Sequence, residues 1–485
     1  MNNIGNSAVH LTFAQILTIT ISLATSMLLS RFRTITEYGT YSQLTLSISI
    51  VVSLFSLGIP NSINYFLARA ETPTERNEFL SVYYTLSTFL SVTMGVLLVT
   101  ASPLIEEYFH NEMISTFSYF LAIIPWTTVT ISSISNILVV YGKTKKLMLI
   151  NVVTSLLTLF SVIFIEILNL TFRDYISAII MSRVLISIWI YFIVNQLEAR
   201  LRFEFNWSFV KKILVYSIPI GLASLVGTVN VTIDKLMIGR VMETDSLAYY
   251  TNAGKELPFT IIATSLTAVL LPHMVKLMKQ KKQKEAVELW GYSIRISYII
   301  ICFFVTALVV FAPQIMTLLY SEKYLPGVQV FRVYSVVLLL RTTYFGLVLN
   351  STGNTKIIFW CSSITLLINI FLNYILYLFI GFIGPAVATF ISILLTNLFQ
   401  LIVSAKTIHI GFADIFPWKK MGIITLVNVS WGICAYLLIQ LFSIKTTIKD
   451  IVISGLIGCI IAGVYFMIMR RDIIHTLRKL YSVKV

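Results

Sequence analysis

Residues 296–313 read ISYIIICFFVTALVVFAP, a run without a single charged side chain. As an α-helix with a rise of about 1.5 Å per residue, such a run nearly crosses the roughly 30 Å hydrocarbon core of a bilayer. Similar runs recur along all 485 residues, of which 57% are hydrophobic and 12% charged, and the mean hydropathy is +0.87. Soluble domains carry about 25% charged residues. The composition therefore predicts an all-α polytopic membrane protein.

Charged residues, prolines and glycines divide the chain into fourteen predicted transmembrane helices. They lie at residues 9–30, 42–66, 80–101, 114–140, 147–169, 174–197, 213–239, 247–272, 291–313, 328–350, 357–379, 382–404, 420–441 and 449–469. The first run is too long for the core of a signal peptide and lacks a preceding Lys or Arg, so we expect it to remain as the first span. The connections are too short for a soluble domain. The cysteines lie singly in apolar runs, which predicts neither a disulfide nor a metal site.

The distribution of Lys and Arg predicts the orientation of these spans. With the N-terminus in the cytoplasm, most of the 36 basic residues fall in cytoplasmic connections and in the C-terminal tail. The predicted outer connections hold only Arg31, Arg33, Arg173, Arg240, Lys323, Lys445 and Lys449. We therefore expect a multi-pass protein with both termini in the cytoplasm.

Four landmarks recur in the same order about 210 residues apart. The pairs are Arg31 and Arg240, Pro60 and Pro272, Pro103 and Pro313, and Gly142 and Gly353. The spacing indicates duplication of a six-helix unit, and an even number of spans makes both copies cross the membrane in the same direction. We expect two parallel six-helix lobes with pseudo-two-fold symmetry and a cavity between them. The predicted domains are an N-lobe at 1–197, a cytoplasmic linker at 198–212, a C-lobe at 213–405, and two further helices with a basic tail at 406–485.

The repeat also explains a stretch that resembles a nucleotide-binding motif. Residues 141–146 read YGKTKK, and Gly-Lys-Thr ends a P-loop. A P-loop also requires a glycine five positions before Gly142, where this chain has Ile137. The second copy has Asn354 in place of Lys143. We interpret both stretches as cytoplasmic turns at which glycine ends a helix, and we expect neither nucleotide nor nucleic acid as a partner.

Several stretches resemble a known family of exporters. They are LLSRF and YGTYS at residues 28–32 and 38–42, TIDKLMIGR at 232–240, LAYYTNAGKELP at 247–258, and LLPHMVKL at 270–277. Together with the fourteen-span, two-lobe arrangement, they resemble the Wzx-type polysaccharide flippases of the MATE-related multidrug/oligosaccharidyl-lipid/polysaccharide exporter superfamily. The resemblance covers essentially the whole chain.

The resemblance implies a function, a location and partners. Such a flippase moves an undecaprenyl-diphosphate-linked oligosaccharide, the repeat unit of O-antigen (lipopolysaccharide), capsule or exopolysaccharide, to the outer leaflet of a bacterial inner membrane. It works in the bilayer with polysaccharide polymerase machinery as a further partner. No cofactor is expected, and coupling to protons, sodium or the membrane potential are alternative driving forces.

Other functions remain as alternatives at this stage. A lipid II flippase has the same span count and polarity, and a MATE-type cation-coupled drug antiporter belongs to the same superfamily. Drug antiporters usually have twelve spans and a more acidic interior, whereas the interior predicted here is basic. A membrane enzyme needs a large outer loop for its active site, and the outer connections are too short. We therefore expect a transporter and not an enzyme.

Charged residues at membrane depth are the candidate site, since such groups are costly unless they bind a substrate or a partner. Spans 1, 2, 7 and 8 line the cavity in the family that the chain resembles. The candidates for the substrate cavity are Arg31, Asp234, Lys235, Lys255, Glu256 and Arg341. Arg and Lys suit a diphosphate because they donate charge-assisted hydrogen bonds to its oxygens. Headgroup contact is the alternative for Arg31, and Arg183 is expected to be a structural partner within its lobe.

Asp234 has two alternative roles. With Gly227 and Asn230 it forms a polar stripe at helical spacing on an apolar span, which favours a position facing the cavity. In that position its carboxylate would bind the coupling ion. Alternatively, it neutralises Lys235 or Lys255.

Overall fold

The computed structural model describes residues 2–197, 201–255, 257–442 and 447–482, and within these ranges the chain forms helices and no β-strand. It divides into two compact units, Met1–Ala248 and Tyr249–Val485. The first contains α1 Asn2–Phe32, α2 Ile35–Phe55, α3 Ser62–Arg69, α4 Pro73–Thr100, α5 Ser102–Phe109, α6 Met113–Thr116, α7 Ser118–Val140, α8 Thr144–Ile167, α9 Phe172–Leu197 and α10 Trp207–Val241. Helix α11, Thr244–Ala253, crosses the division. The second contains α12 Thr260–Lys279, α13 Gln283–Val310, α14 Ala312–Tyr320, α15 Val328–Val337, α16 Leu347–Ser351, α17 Thr355–Ile380, α18 Gly384–Thr407, α19 Trp418–Phe442 and α20 Thr447–Ser482. Short 3₁₀ helices occupy Ile59–Asn61, Glu322–Gly327, Leu338–Arg341 and Gly381–Ile383.

The number of spans agrees with the sequence. Twelve stretches of the described residues are long and apolar enough to cross a membrane, or thirteen when the bent pair Ile35–Phe55 and Ile59–Arg69 is taken as one span. One of the twelve, Thr355–Thr407, holds both α17 and α18. These two helices are antiparallel, since Thr365 bonds Thr396 and Asn369 bonds Ser392. Counting them separately brings the number of spans among the described residues close to the fourteen predicted.

Several helices begin earlier than the apolar runs. Helix α2 starts at Ile35 because Thr34 and Glu37 form a capping box, in which each side chain bonds the backbone N–H of the other. Helix α10 starts at Trp207 because the Asn206 side chain accepts a hydrogen bond from the N–H of Phe209. Polar capping residues thus extend these helices beyond the apolar runs that revealed them.

The segment between the predicted lobes is bound to the first unit. Residues 201–206 are not helical, and two of their backbone N–H groups donate to α4. Arg202 donates to Ser81 Oγ at 3.1 Å and Glu204 donates to Thr85 Oγ1 at 3.2 Å. The rest of the predicted linker forms the start of α10, and residues 198–200 lie outside the described ranges.

Helix α10 packs within the first unit, against α2. A Cβ at Gly58 would lie 2.5 Å from the Gly221 nitrogen, so two glycines allow the backbones to touch. Gly58 lies in the turn that follows α2, and within α2 itself Ser53 is hydrogen-bonded to Thr228 of α10 at 2.9 Å. Compactness therefore divides the chain after Ala248, later than the lobe boundary that the repeat predicts.

Turns of the two copies place residues with positive φ at corresponding positions. Residues with positive φ recur 211 or 212 positions apart in three pairs: His110 and Ser321, Gly142 and Gly353, and Asn169 and Gly381. In the turn at Gly142, which resembles a P-loop, the N–H of Lys143 donates to the Leu138 carbonyl at 2.8 Å. In the corresponding turn at Gly353, the N–H of Asn354 donates to the Leu349 carbonyl at the same distance. Both are helix-ending turns with a glycine at positive φ, which confirms that part of the interpretation of the YGKTKK stretch; the cytoplasmic location of the turns stays a prediction.

The second unit is built around α13. Trp290, Ile294 and Ile299 of this helix are completely buried, and it packs against α12, α15, α19 and α20. Its Tyr298 bonds Thr425 of α19 at 2.7 Å, and the Ile299 carbonyl accepts from Tyr465 of α20 at 2.9 Å. The last two helices are thereby fixed to the unit by both apolar and polar contacts.

Candidate functional site

Lys255 lies where the eighth predicted span is interrupted. Helix α11 ends at Ala253 and α12 begins at Thr260, and the residues between them include Gly254 and Pro258. Glycine is a weak helix former and proline cannot donate to the helical ladder, so this local sequence favours a break. The ten residues of α11 measure about 15 Å, which is about half of a 30 Å hydrocarbon core. The single span predicted at 247–272 is therefore two helices, and the half-buried Lys255 lies between them. Glu256 lies outside the described residues.

Arg341 lies at a second break, in the tenth span. Helix α15 ends at Val337, a 3₁₀ turn follows to Arg341, and α16 begins only at Leu347. The amide of Asn397, on α18, donates to the Leu340 carbonyl at 2.8 Å. The indole of Trp290, on α13, donates to Thr343 Oγ1 at 2.8 Å. Neighbouring helices therefore satisfy polar groups of the break, and Arg341 is half-buried within it.

The two breaks are linked through Tyr334. A Cβ at Gly254 would lie 3.0 Å from the Tyr334 ring, and the hydroxyls of Tyr250 and Tyr334 are 3.4 Å apart. The end of α11 thus packs against α15, the helix that leads into Arg341. Within the second unit, Lys255 and Arg341 thus lie at two helix interruptions, one of which follows a helix that packs against α15.

The other described candidates belong to the first unit. Asp234 on α10 is 1% exposed, so its carboxylate is shielded from lipid and solvent, and its Oδ1 accepts from the N–H of Lys235 at 2.7 Å. Lys235 is half-buried. Arg31 is exposed in the last turn of α1. The predicted polar stripe of α10 is not uniformly exposed: Gly227 is exposed, whereas Asp234, two turns further along the helix, is buried.

Arg183 has the structural role that the sequence predicted. Its Nε and Nη2 donate to Thr127 and Thr128 of α7, at 3.2 and 2.9 Å. The guanidinium therefore joins α9 to α7 within the first unit. Arg332 makes comparable bonds in the second unit, from Nε to the Val309 carbonyl at 3.2 Å and from Nη1 to Gln329 at 3.4 Å.

Sequence reasoning missed the partners that hold the second break. Asn397 is a single amide in a largely apolar run and Trp290 lies just before the predicted span 291–313, and neither spacing nor charge distinguished them. Asn397 could have been recognised because an amide side chain on an apolar membrane helix usually hydrogen-bonds to a neighbouring helix. Among the described residues, no group of three His, Cys, Asp or Glu side chains is arranged to hold a metal ion.

The arrangement suits recognition of an anion in a lipid environment. Transporters often place binding groups at interrupted helices near the bilayer midplane, where unwound backbone can meet a ligand. Lys255 and Arg341 each bring a cation to such an interruption. An Arg donates two parallel hydrogen bonds to phosphate, and a Lys adds a mobile point charge.

The model of a family described as "Polysaccharide biosynthesis protein" matches residues 28–329, which is more than half of the chain. No curated protein sequence matches the chain.

Solved structures with similar folds are transporters. The lipid II flippase MurJ, in an inward closed conformation, is 18% identical and has a TM-score of 0.76, with 96% of this chain and all of that chain covered. An inward-facing multidrug resistance MATE family transporter of the MOP superfamily is 18% identical over 82% of this chain and 98% of that one, with a TM-score of 0.63. A MOP superfamily transporter from Pyrococcus furiosus is 17% identical over 83% and 95%, with a TM-score of 0.57. At these identities the similarity describes the fold, which is that of the MOP superfamily.

Proposed function

Because this chain belongs to the polysaccharide biosynthesis protein family and has the fold of a MOP superfamily transporter, we propose that it is a Wzx-type flippase. Its substrate is an undecaprenyl-diphosphate-linked oligosaccharide, moved from the cytoplasmic to the outer leaflet. The observation that carries the proposal is that two cations, Lys255 and Arg341, each lie at a helix interruption in a membrane-spanning unit. The protein catalyses no covalent reaction in this proposal.

The diphosphate is the part of the substrate that these residues bind. Arg341 and Lys255 offset its negative charge while the headgroup crosses the apolar region, and the prenyl chain stays in the lipid. Arg31, Lys235 and Glu256 are further candidates for contact with the substrate. Movement follows alternating access of the two predicted lobes, 1–197 and 213–405, and the oligosaccharide is delivered to the polymerase machinery outside.

A flipping assay in proteoliposomes tests the proposal. Purified protein is reconstituted with a fluorescent undecaprenyl-diphosphate oligosaccharide, and the fraction accessible to an added quencher is followed over time. We expect protein-dependent loss of protected substrate, and Lys255→Gln should abolish it while Lys255→Arg retains part. A rate equal to that of protein-free vesicles would refute the function. Activity with the lipid and none with its oligosaccharide-free form would show that the glycan is also read.

A lipid II flippase is the second candidate, favoured by the fold similarity to MurJ over nearly the whole of both chains. The same vesicles loaded with fluorescent lipid II distinguish the two substrates. Faster movement of lipid II than of the oligosaccharide lipid would replace the first proposal by the second. A MATE-type drug antiporter is less favoured because the multidrug transporter structure covers a smaller share of this chain, 82%.

Asp234 is proposed as the site of the coupling ion, a proton or sodium. A buried carboxylate of this kind either binds an ion or balances a neighbouring cation, and double variants separate the two roles. Removing one member of a buried pair costs about 3–5 kcal/mol, whereas replacing both is often tolerated. For a coupling role, Asp234→Asn should stop transport, and adding Lys235→Met or Lys255→Met should not restore it. Restored transport in a double variant would assign Asp234 to charge balance.

We further propose a bacterial inner membrane location with both termini in the cytoplasm. Glu243 and Lys282 are exposed residues in connections that the charge distribution predicts on opposite faces. Single cysteines at these positions, in a variant without its own cysteines, should react with an impermeant maleimide from opposite sides of the membrane. Labelling of both from one side would overturn the predicted orientation.

A further inference from the structure

The chain between α9 and α10 folds back beside the helices of the first unit. Residues 201–206, which we call the strap, are not helical. The N–H of Leu201 donates to Asn195 Oδ1 at 2.8 Å, in the last turn of α9. The Leu201 side chain packs against the apolar core of this unit. The strap therefore starts alongside α9 and not beyond its end.

The strap then runs along α4. The backbone N–H of Arg202 donates to Ser81 Oγ, and that of Glu204 donates to Thr85 Oγ1. Thr85 follows Ser81 by one turn of α4 and is therefore farther from the start of that helix. One such step of four residues measures about 6 Å along the helix axis. The strap thus advances along α4 by roughly this distance.

After the strap, the chain returns toward the start of α4. Phe209 lies in the first turn of α10, and its ring centroid is 6.0 Å from that of Phe79. Phe79 precedes both hydroxyl residues that bond the strap. The chain therefore passes from the end of α9 to the level of Thr85 and back again, so the strap is a re-entrant segment.

The charges of α4 indicate the depth that the strap reaches. Glu78 is the last charged residue of α4, and the apolar span predicted from the sequence begins at Leu80. Thr85 lies beyond Glu78 by about 10 Å along the helix axis. Interfacial segments of membrane proteins are buried about 5–10 Å into the boundary between headgroups and acyl chains. The position of the strap on α4 matches this boundary.

The burial of α4 changes where the strap bonds it. Every residue from Phe79 to Ser87 is buried, so this part of the helix has no lipid-facing side. Farther along, Phe89 and Val92 are 67% and 56% exposed, and there the helix does have one. Non-helical backbone at membrane depth is tolerated where protein groups satisfy it. The two hydroxyls of α4 accept from the strap at this level.

The strap exposes aromatic side chains on its other side. Phe203 is 90% and Phe205 is 60% exposed, whereas Glu204 between them is half-buried. Trp207, the first residue of α10, is 63% exposed, and its ring stacks on Phe205 with centroids 6.2 Å apart. Three large aromatic side chains are thus exposed within five residues, while the carboxylate between them is less exposed.

This aromatic surface continues into an exposed apolar face of α10. Val215 and Leu222 are 66% and 51% exposed and share a helix face with Trp207. Lys211 lies on the same face, between Trp207 and Val215, and is exposed. Aromatic and basic residues at the end of an apolar face are typical of the membrane–water interface. The continuity therefore indicates lipid as the partner of the exposed rings.

We propose that the strap is inserted into the bilayer, with the boundary between headgroups and acyl chains as its partner. Phe203 and Phe205 lie among the first methylene groups of the acyl chains, and Arg202 and Lys211 extend to the lipid phosphates. The strap then fixes the connection between the predicted lobes at a set depth and is not a free cytoplasmic tether. This inference does not depend on which substrate the protein transports.

Electron paramagnetic resonance of the full-length protein in phospholipid vesicles tests this proposal. A nitroxide is attached at Phe203→Cys in a variant without its own cysteines. Its collisions with oxygen, which concentrates in hydrocarbon, are compared with its collisions with a water-soluble nickel chelate. Val215→Cys is the lipid-facing control, and Lys282→Cys, in an exposed turn, is the aqueous control.

We expect the ratio of oxygen to nickel collisions to be severalfold higher at Phe203→Cys than at Lys282→Cys, and close to that at Val215→Cys. A ratio equal to that at Lys282→Cys would place the strap in water. Protection from both reagents would mean that protein covers the rings, for example a second copy of the chain. Either of these results would overturn the proposal.

A second set of variants tests how the strap is held. Ser81→Ala combined with Thr85→Val removes both acceptors and leaves two N–H groups unsatisfied at membrane depth. The strap should then move toward water, and the collision ratio at Phe203→Cys should fall severalfold. Thr93→Val is the matched control, since its hydroxyl bonds the Phe89 carbonyl of its own helix, and it should leave the ratio unchanged. An unchanged ratio in the double variant would contradict insertion through these two hydroxyls.

Discussion

The fourth and tenth spans occupy equivalent positions in the sequence repeat, but only the fourth is a continuous helix. Helix α7 runs unbroken from Ser118 to Val140, even with Pro125 inside it. The tenth span consists of α15, a 3₁₀ turn and α16. Both spans nevertheless end in the same αL-glycine turn, at Gly142 and Gly353. The copies therefore share their ends and differ in the middle.

The two spans differ in which of their atoms accepts a hydrogen bond from a neighbouring helix, and this explains why only the tenth is interrupted. In the first copy Arg183 donates to the Thr128 hydroxyl, which leaves the backbone of α7 free to form its own helix. In the second copy Asn397 donates to the carbonyl of Leu340, 212 residues after Thr128. A carbonyl bonded from outside can leave the helical ladder without being unsatisfied. One copy therefore uses a charged residue, Arg183, to bond a neighbouring helix, while in the other copy the backbone unwinds at a charged residue, Arg341.

The largest effect is expected at Arg341. Arg341→Gln should lower the transport rate about a hundredfold, since a lost pair of charge-assisted hydrogen bonds to the diphosphate costs about 3 kcal/mol. Protein abundance and thermal stability should stay the same, and Arg341→Lys should retain part of the rate. The flipping assay with normalised protein amounts measures this. Unchanged transport by Arg341→Gln would show that Arg341 does not bind the diphosphate, and that the interrupted span has no functional advantage over the continuous one.

Arg183 should show the opposite behaviour. Arg183→Met removes two hydrogen bonds to buried or half-buried hydroxyls and should destabilise the protein by about 2 kcal/mol. Transport per folded molecule should remain normal. Thermal unfolding in detergent and the flipping assay together measure this. Loss of transport at unchanged stability would mean that Arg183 belongs to the substrate path and that the copies resemble each other more than we infer.

Asn397 should have an intermediate effect on both properties. Asn397→Leu leaves the Leu340 carbonyl without its donor, at a cost of about 1 kcal/mol. The break would then favour a regular helix, and we expect a fewfold slower transport because Arg341 is presented less often. Asn369→Leu, in the polar contact between α17 and α18, is the matched control and should affect stability only. Equal transport rates in Asn397→Leu and Asn369→Leu would show that the helix break at Arg341 does not affect transport.

The smallest effect concerns the shared turns. A Cβ at Gly142 or Gly353 would meet no atom within 4 Å, and φ is 66° and 78° at these positions. Alanine at either position therefore has no steric clash and only the backbone penalty of about 1 kcal/mol. We expect equal small losses of thermal stability and normal transport. A much larger loss at one turn would show that the two copies also differ at their ends.

Most of the architecture could be predicted from the sequence. Apolar runs gave the number of spans, because each helix must cross the hydrocarbon with its backbone bonded internally. The αL turns at Gly142 and Gly353 were recognisable because a glycine interrupts an apolar run in both copies. The break at Lys255 was not predicted, because the run from 247 to 272 is long enough to form one transmembrane helix. Gly254 and Pro258 were the local indications of the break.

For the candidate site, the sequence supplied the residue types and only part of their setting. Asp234 was recognised as a charge on an apolar span, but its near-complete burial depends on the packing of α10 within the first unit. Arg183 was correctly assigned as a structural partner. The strap had no sequence signal, because the hydroxyls that bond it lie in α4, 121 and 119 residues away in sequence.

The sequence by itself determined that this chain is a membrane protein of fourteen apolar spans with a repeated turn pattern. These properties depend on single segments of the chain: hydropathy and length determine whether a segment spans the bilayer, and local turn residues determine where its helix ends. The position of the interruption at Arg341 was decided by the tertiary structure. Glycine occurs in it only at its end, at Gly346, whereas the groups at its centre, the Leu340 carbonyl and the Thr343 hydroxyl, are bonded by Asn397 and Trp290, which are far away in sequence. Unwinding a helix in a membrane is possible only where other helices supply hydrogen-bond partners, and those partners exist only once the helices have packed.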